Sequence, residues 1–228
     1  MSAVYVTGTD TGAGKSVASV ALLHALRREG ARAVGMKPVA SGCIATADGL
    51  RNEDALALQA ASDPRPDYAL VNPYALPEAT APQIAARLAG VVPKLLPLVA
   101  AFHELAAGAD HVVVEGVGGW LAPLGDHPDG RPFEQSELVR ALQLPVVLVV
   151  GLRLGCLSHA RLTAAAVLAD GCRLAGWIGN AVEPPGRFHA DYLQLLTAAL
   201  PAPCLGVLPW SPEAAPKLDR LPTGFPGT

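Results

Sequence analysis

The segment Gly8-Thr9-Asp10-Thr11-Gly12-Ala13-Gly14-Lys15-Ser16 constrains this chain more than any other. The apolar run Ala3-Val4-Tyr5-Val6 precedes it and reads as a strand. Residues 17–26 follow and read as a helix with an apolar face. Strand, glycine-bearing loop, Lys-Ser and helix form the arrangement in which backbone N–H groups wrap a nucleotide polyphosphate. The helix start adds partial positive charge, Lys15 a full one, and Ser16 a hydroxyl that can ligate Mg²⁺. Thr9 stands where the usual G-x-x-x-x-G-K-[ST] pattern has its first glycine, and Gly8 is the nearest substitute. A glycine-rich turn with a solvated lysine is the alternative; the flanking strand and helix favour phosphate binding. A nucleoside triphosphate is the expected first substrate.

Strand-like and helix-like runs alternate along the chain, which predicts an α/β fold with a mostly parallel sheet covered by helices on both faces. The strand candidates are residues 3–6, 33–39, 111–115, 145–150, 174–178 and 204–208. Helix candidates are 16–28, 53–61, 82–89, 94–107, 136–142, 159–169 and 188–199. Segments 40–52 and 126–132 read as polar loops, and five prolines from Pro209 onward predict an irregular tail. No repeat or long linker divides the 228 residues, so a single domain is expected.

Half the residues are hydrophobic (51%), enough for a sizeable core and a subunit interface. A net charge of −3 with interspersed signs argues against a nucleic-acid surface, which would show a basic stripe. Cys43, Cys156, Cys172 and Cys204 include no C-x-x-C pair and read as reduced residues of a cytoplasmic protein. The N-terminus enters the first strand without a basic n-region, so no signal peptide is expected. The most apolar run, 144–152, is too short for a bilayer and is interrupted by Pro145.

Ligands of an open parallel sheet sit at the carboxyl ends of its strands, and the polar residues of this chain cluster there. Glu115 ends an aliphatic run and is followed by Gly116-Val117-Gly118-Gly119-Trp120. An acidic residue beside a phosphate loop holds Mg²⁺ directly or through water, or else caps a helix at the surface. Lys37 ends a core strand, where its charge must face anions or snorkel at the sheet edge. A second cation opposite Lys15 would flank a transferring γ-phosphoryl group. Asp54 reads either as a second metal ligand or, with Glu53, as an ordinary helix-start charge. The histidines, and the absence of Ser–His–Asp or Cys–His spacing, point to electrostatic phosphoryl transfer rather than covalent or zinc chemistry.

These blocks, with Lys37-Pro38-Val39-Ala40-Ser41-Gly42, Asn52-Glu53-Asp54-Ala55-Leu56, Val71-Asn72-Pro73-Tyr74, Leu154-Gly155-Cys156, Ala175-Gly176-Trp177-Ile178-Gly179-Asn180 and Leu208-Pro209-Trp210, resemble the dethiobiotin synthetase family in order from the first strand to about Trp210. The resemblance implies a P-loop NTPase-like sheet of about seven strands. It also implies ring closure of 7,8-diaminononanoate with CO₂ to dethiobiotin, ADP and phosphate, through a carbamate and a carbamic-phosphoric anhydride. It places Lys37 and Lys15 in catalysis. Nucleotide contacts fall on Gly12, Ala13, Gly14, Lys15, Ser16, Val17, Asp54, Glu115, Gly116, Val117, Gly118, Asn180, Pro209 and Trp210. The metal falls to Ser16, Asp54 and Glu115. Substrate contacts fall on Thr11, Ser41, Gly155, Cys156, Leu157 and Tyr192, some of them across a homodimer interface.

Departures from the family are Ser16 for a common Thr, Gly12 and Ala13 for larger residues, and Val117 for Ala. Glu213 is a candidate for an acidic nucleotide contact of some members. Two other readings compete. A cobalamin-type P-loop amide synthase would carry a glutaminase segment, which is not legible here. A partitioning-type switch ATPase would place a further lysine where this chain has Thr9 and Asp10.

Overall fold

The computed structural model describes residues 2–211 and residue 218; Glu213 lies outside them. Along the chain, β1 (Ser2–Gly8) runs into α1 (Lys15–Arg28), followed by β2 (Ala33–Met36) and the short β3 (Val39–Ala40). A hairpin of β4 (Ile44–Thr46) and β5 (Gly49–Arg51) comes next. Helices α2 (Glu53–Ala61) and α3 (Tyr68–Val71) lead to β6 (Tyr74–Ala75), which pairs with β3. After α4 (Pro82–Leu88) and α5 (Leu95–Ala107) lies β7 (His111–Glu115). A second hairpin, β8 (Gly125–Asp126) with β9 (Pro132–Phe133), precedes α6 (Gln135–Ala141). The rest alternates as β10 (Val146–Gly151), α7 (Cys156–Ala169), β11 (Leu174–Asn180), α8 (His189–Ala199) and β12 (Cys204–Leu208).

Six strands make one parallel sheet in the order β12-β11-β10-β1-β7-β2. The expected count of about seven is therefore corrected to six among the described residues, because the short strands pair apart from the main sheet. The candidate strand 33–39 divides for a backbone reason. Pro38 has no N–H to give a ladder, and the Lys37 N–H turns away to the Val71 carbonyl at 2.7 Å. The loops expected at 40–52 and 126–132 each contribute strands to a small hairpin.

Alternating side chains of β1 feed two cores, as a period of two requires. Tyr5 joins Met36, Phe102, Leu148 and Trp177 on one face. Val4 and Val6 join Leu22, Leu26, Val113 and Val147 on the other, beneath α1 and α2. β1 lies between β7 and β10, and the strand order reverses there, with β2 reached on one side and β10 to β12 extending the other, so the carboxyl end of β1 is where a ligand crevice is expected. Glycine is required where α2 crosses β2. A Cβ on Gly35 would lie 2.8 Å from Leu58 Cβ and 3.1 Å from Leu23 Cδ1, both fully buried residues.

Gly35→Ala therefore overpacks this contact and should lower stability by about 1–3 kcal/mol. The urea midpoint of the variant measures it, and an unchanged midpoint would show that α2 can shift freely on the sheet.

Candidate active site

The loop after β1 is shaped by two glycines in the left-handed region, Gly12 (φ 86°) and Gly14 (φ 90°). Gly14 is the residue that starts α1, whose first helical positions are Lys15, Ser16 and Val17. Their N–H groups have no carbonyl behind them in the helix and face the crevice. Asn180, the last residue of β11 rather than one beyond it, donates from Nδ2 to the Ala13 carbonyl at 3.1 Å. The same side chain packs so tightly on Gly14 that a Cβ there would fall 2.0 Å from Nδ2. Pro209 and Trp210 follow directly on Leu208, the residue in register with Asn180, and both are exposed.

Lys15 is 7% exposed and its ammonium donates to the Asp10 carbonyl at 3.2 Å. Burial, then the nearby charge of Lys37, bring its pKa down to about 8, with Glu115, Asp54 and Asp10 offsetting part of the fall. A lysine so disposed gains from any anion brought against it. Asp10 is fixed in turn: it accepts from the Thr9 hydroxyl at 2.7 Å and pairs with the Arg153 guanidinium.

Glu115 lies at the tip of β7 with no solvent exposure. Its Oε1 accepts from Ser16 Oγ at 2.7 Å and from Lys37 Nζ at 2.5 Å. Lys37 Nζ also donates to Asp54 Oδ2 and to the Gly116 carbonyl, each at 3.1 Å, so all three ammonium hydrogens have acceptors. Burial opposes the Lys37 charge, but Glu115 and Asp54 outweigh it and hold the ammonium above the ordinary lysine range. Burial likewise opposes the charge of Asp54, and Lys37 beside it carries its carboxyl below the ordinary range. Asp54 is delivered by the first turn of α2, which Asn52 caps by accepting from the Ala55 N–H at 3.2 Å.

The donors here fit a hard divalent cation. Glu115 Oε2 is buried and accepts no hydrogen bond among the described residues, while Ser16 and Asp54 offer further oxygens. Two carboxylates and a hydroxyl are few, and no larger His, Cys, Asp and Glu cluster occurs among the described residues. Substrate phosphates and water usually supply the remaining ligands of Mg²⁺.

Lys15, Lys37, Ser16, Val17, Asp54, Thr11, Gly12, Gly14, Val117 and Gly118 all border one cleft of about 750 Å³, with Ser41 on its wall. The sequence reading missed the opposite wall, Ala79 to Pro82 at the start of α4. It also missed Gln135, buried behind the 116–122 loop, because neither position carries a motif. Gly155, Cys156, Leu157 and Tyr192 are not on this cleft. Gly155 (φ 95°) instead starts α7, which begins at Cys156 rather than at 159 as expected, and Tyr192 packs on α8 against the core.

The family described as an AAA domain matches residues 2–217. An ATP-dependent dethiobiotin synthetase of Xanthomonas campestris pv. campestris is 62% identical over 212 residues, 93% of this chain and 92% of that protein. The same enzyme of Xylella fastidiosa is 60% identical over equal coverage. Solved structures share the fold at low identity. A ParA family ATPase from Chlorobium tepidum matches 93% of this chain and 86% of its own with a TM-score of 0.57 at 14% identity. MinD of Aquifex aeolicus matches 93% and 84%, at 0.54 and 13%.

Replacing Gly14 by Ala would demand a left-handed alanine and displace Asn180. Strain of about 1–2 kcal/mol should open the loop and weaken nucleotide binding roughly tenfold. Titration of the variant with a non-hydrolysable nucleotide reads this, and wild-type affinity would mean the glycine geometry is dispensable.

Proposed function

This chain belongs to the ATP-dependent dethiobiotin synthetases, and from that premise we propose how its cleft carries out the reaction. The chain is a ligase of biotin biosynthesis that makes dethiobiotin at the expense of ATP. One amine of 7,8-diaminononanoate captures CO₂ as a carbamate and releases a proton. A carbamate oxygen attacks the γ-phosphorus, the bond to the bridging oxygen breaks, and ADP leaves. The second amine attacks the activated carbonyl, and phosphate departs as the ureido ring closes.

The observation that carries this reading is the placement of Lys15 and Lys37 on one cleft. Carbamate and triphosphate are both anionic, and cations fixed in advance where charge gathers lower the barrier to their approach. Glu115 and Asp54 keep Lys37 charged and aimed beside the phosphate loop. The N–H groups from Gly12 to Val17 bind the phosphates, with Gly116, Val117 and Gly118 closing their far side. Ser16, Asp54 and Glu115 would hold Mg²⁺, which when bound neutralises charge on the β- and γ-oxygens. Thr11 and Ser41 orient the amine and its carbamate, and Asn180, Pro209 and Trp210 receive the base.

The carboxylate tail of the diamine is assigned to the start of α7, at Gly155, Cys156 and Leu157, with Tyr192 nearby. Since these residues are off the cleft of their own chain, a second copy supplies them, and the working form is a cytoplasmic homodimer. Leu154 and Leu162 are 86% and 68% exposed at the head and along the side of α7, which supports an apolar contact there. The likeness to partition and division ATPases is one of fold, and about 60% identity to the synthetases outweighs it.

Lys37→Gln should cost at least ~100-fold in kcat, as removal of one transition-state donor does; normal turnover at saturating substrate would remove Lys37 from the mechanism. In wild type, phosphate release from ATP should need both diamine and bicarbonate and ignore DNA, lipid and glutamine. Sedimentation should give twice the chain mass, and Leu162→Asp should shift it to one chain with loss of activity. A monomeric, active wild type would refute the shared site.

A further inference from the structure

Gln135 opens α6 with no solvent exposure, and its amide has six polar partners within hydrogen-bonding distance, four of them carbonyls that share the two Nε2 hydrogens. Oε1 accepts from the Tyr5 hydroxyl at 2.6 Å and from the Val117 N–H at 3.1 Å. Nε2 faces the carbonyls of Val117 (3.1 Å), Gly119 (2.8 Å), Trp120 (3.2 Å) and Ala122 (2.9 Å). The opposite amide orientation would set NH₂ against an N–H and oxygen against four carbonyls, so the surroundings fix it. Burial, then the charge of Glu115, push the Tyr5 phenol far above its usual range, which keeps it a donor.

One side chain thus engages five backbone groups of a glycine-rich loop that has no regular structure of its own, its two N–H hydrogens shared among four carbonyls. The loop leaves no room for an alternative at its root: a Cβ on Gly116 would lie 2.5 Å from Gln135 Oε1 and 2.7 Å from the Tyr5 hydroxyl. A second tie comes from Trp120, whose Nε1 donates to Asp170 at 2.7 Å while its ring meets Tyr5 edge-on. On the outer side of the loop, Val117, Gly118, Gly119 and Ala122 border the cleft that Ser41 and Ala81 also border.

We propose that Gln135 is a positioning residue that sets the 116–122 loop as the wall against which the diamine is held, an inference that rests on the synthetase reading. The nucleotide meets this loop only at Gly116, Val117 and Gly118 and is held chiefly by the phosphate loop and Asn180, to which the Gln135 amide makes no hydrogen bond, so it keeps most of its grip when the loop loosens. The diamine has Thr11 and Ser41 at its reacting end, and its fit beside them depends on the distance between this loop and the wall at Ala79 to Pro82. Loosening the loop therefore affects the diamine far more than ATP.

Two full-length variants test this. Gln135→Met keeps the volume and removes every hydrogen bond; Tyr5→Phe removes only the hydroxyl. Gln135→Met should raise the KM for the diamine roughly tenfold or more while the KM for ATP moves less than about threefold, the scale of a mispositioned substrate. Tyr5→Phe should shift the diamine KM in the same direction by about threefold, and in both variants the Val117 and Ala122 amides, bonded respectively to Gln135 and to the Gly119 carbonyl, should exchange faster while that of Val113 does not. A folded Gln135→Met with wild-type diamine KM, or with both KM values rising in step, overturns the proposal. If Gln135→Met fails to fold, an unchanged diamine KM and unchanged exchange in Tyr5→Phe overturn it. If the wild type makes no product from the diamine, the synthetase reading falls, and the exchange rates still judge whether Gln135 fixes the loop.

Discussion

A carboxylate with no contact with solvent, at the tip of a central strand, is the interaction on which the cleft depends. Glu115 ends the aliphatic run of β7, where even after relaxation an unpaired charge costs several kcal/mol. Lys37 and Ser16 make it tolerable by bonding the same oxygen, and Lys37 is itself 3% exposed. Removing Lys37 would leave the Glu115 charge with the Ser16 hydroxyl alone, whereas without Glu115 the lysine would still have Asp54 and the Gly116 carbonyl. Such a pair is weak support for stability as a whole. Its value lies in fixing where a positive charge stands.

That need explains a detail of the sheet. A lysine continuing β2 in the ladder would project across one face of the sheet, into an apolar core. The chain leaves the ladder at Lys37 instead, with Pro38 enforcing the exit and Asn72 Nδ2 holding the Lys37 carbonyl at 2.7 Å. The freed residue reaches sideways to the tips of β7 and α2. Strand order then does the rest, because β1 and β7 are adjacent with Val6 opposite Glu115, which puts the phosphate loop beside the carboxylate.

The parts legible in the sequence are those encoded by local pattern. Continuous valines announced β7 and β10, the acidic start at Glu53 and Asp54 was compatible with α2, and Gly14-Lys15-Ser16 announced the phosphate loop. Less legible was anything set by long-range satisfaction of polar groups. The break at Lys37 could not be seen without Val71, a distant acceptor. Gln135 gave no signal at all, since an amide at a helix start looks like any surface residue until the carbonyls up to 18 positions away close around it. The grouping of Ser16, Lys37, Asp54 and Glu115 was anticipated in kind, but not that the lysine would lie between the two acids.

Asp10 has a consequence of its own. Its carbonyl steadies the Lys15 ammonium, while its carboxylate is tied to Arg153, two residues before the glycine that opens α7. One side chain thereby fixes the segment before α7 against the residue that holds the Lys15 ammonium. The phosphate loop and the head of α7 are thus stapled together although the main chain separates them by more than a hundred residues.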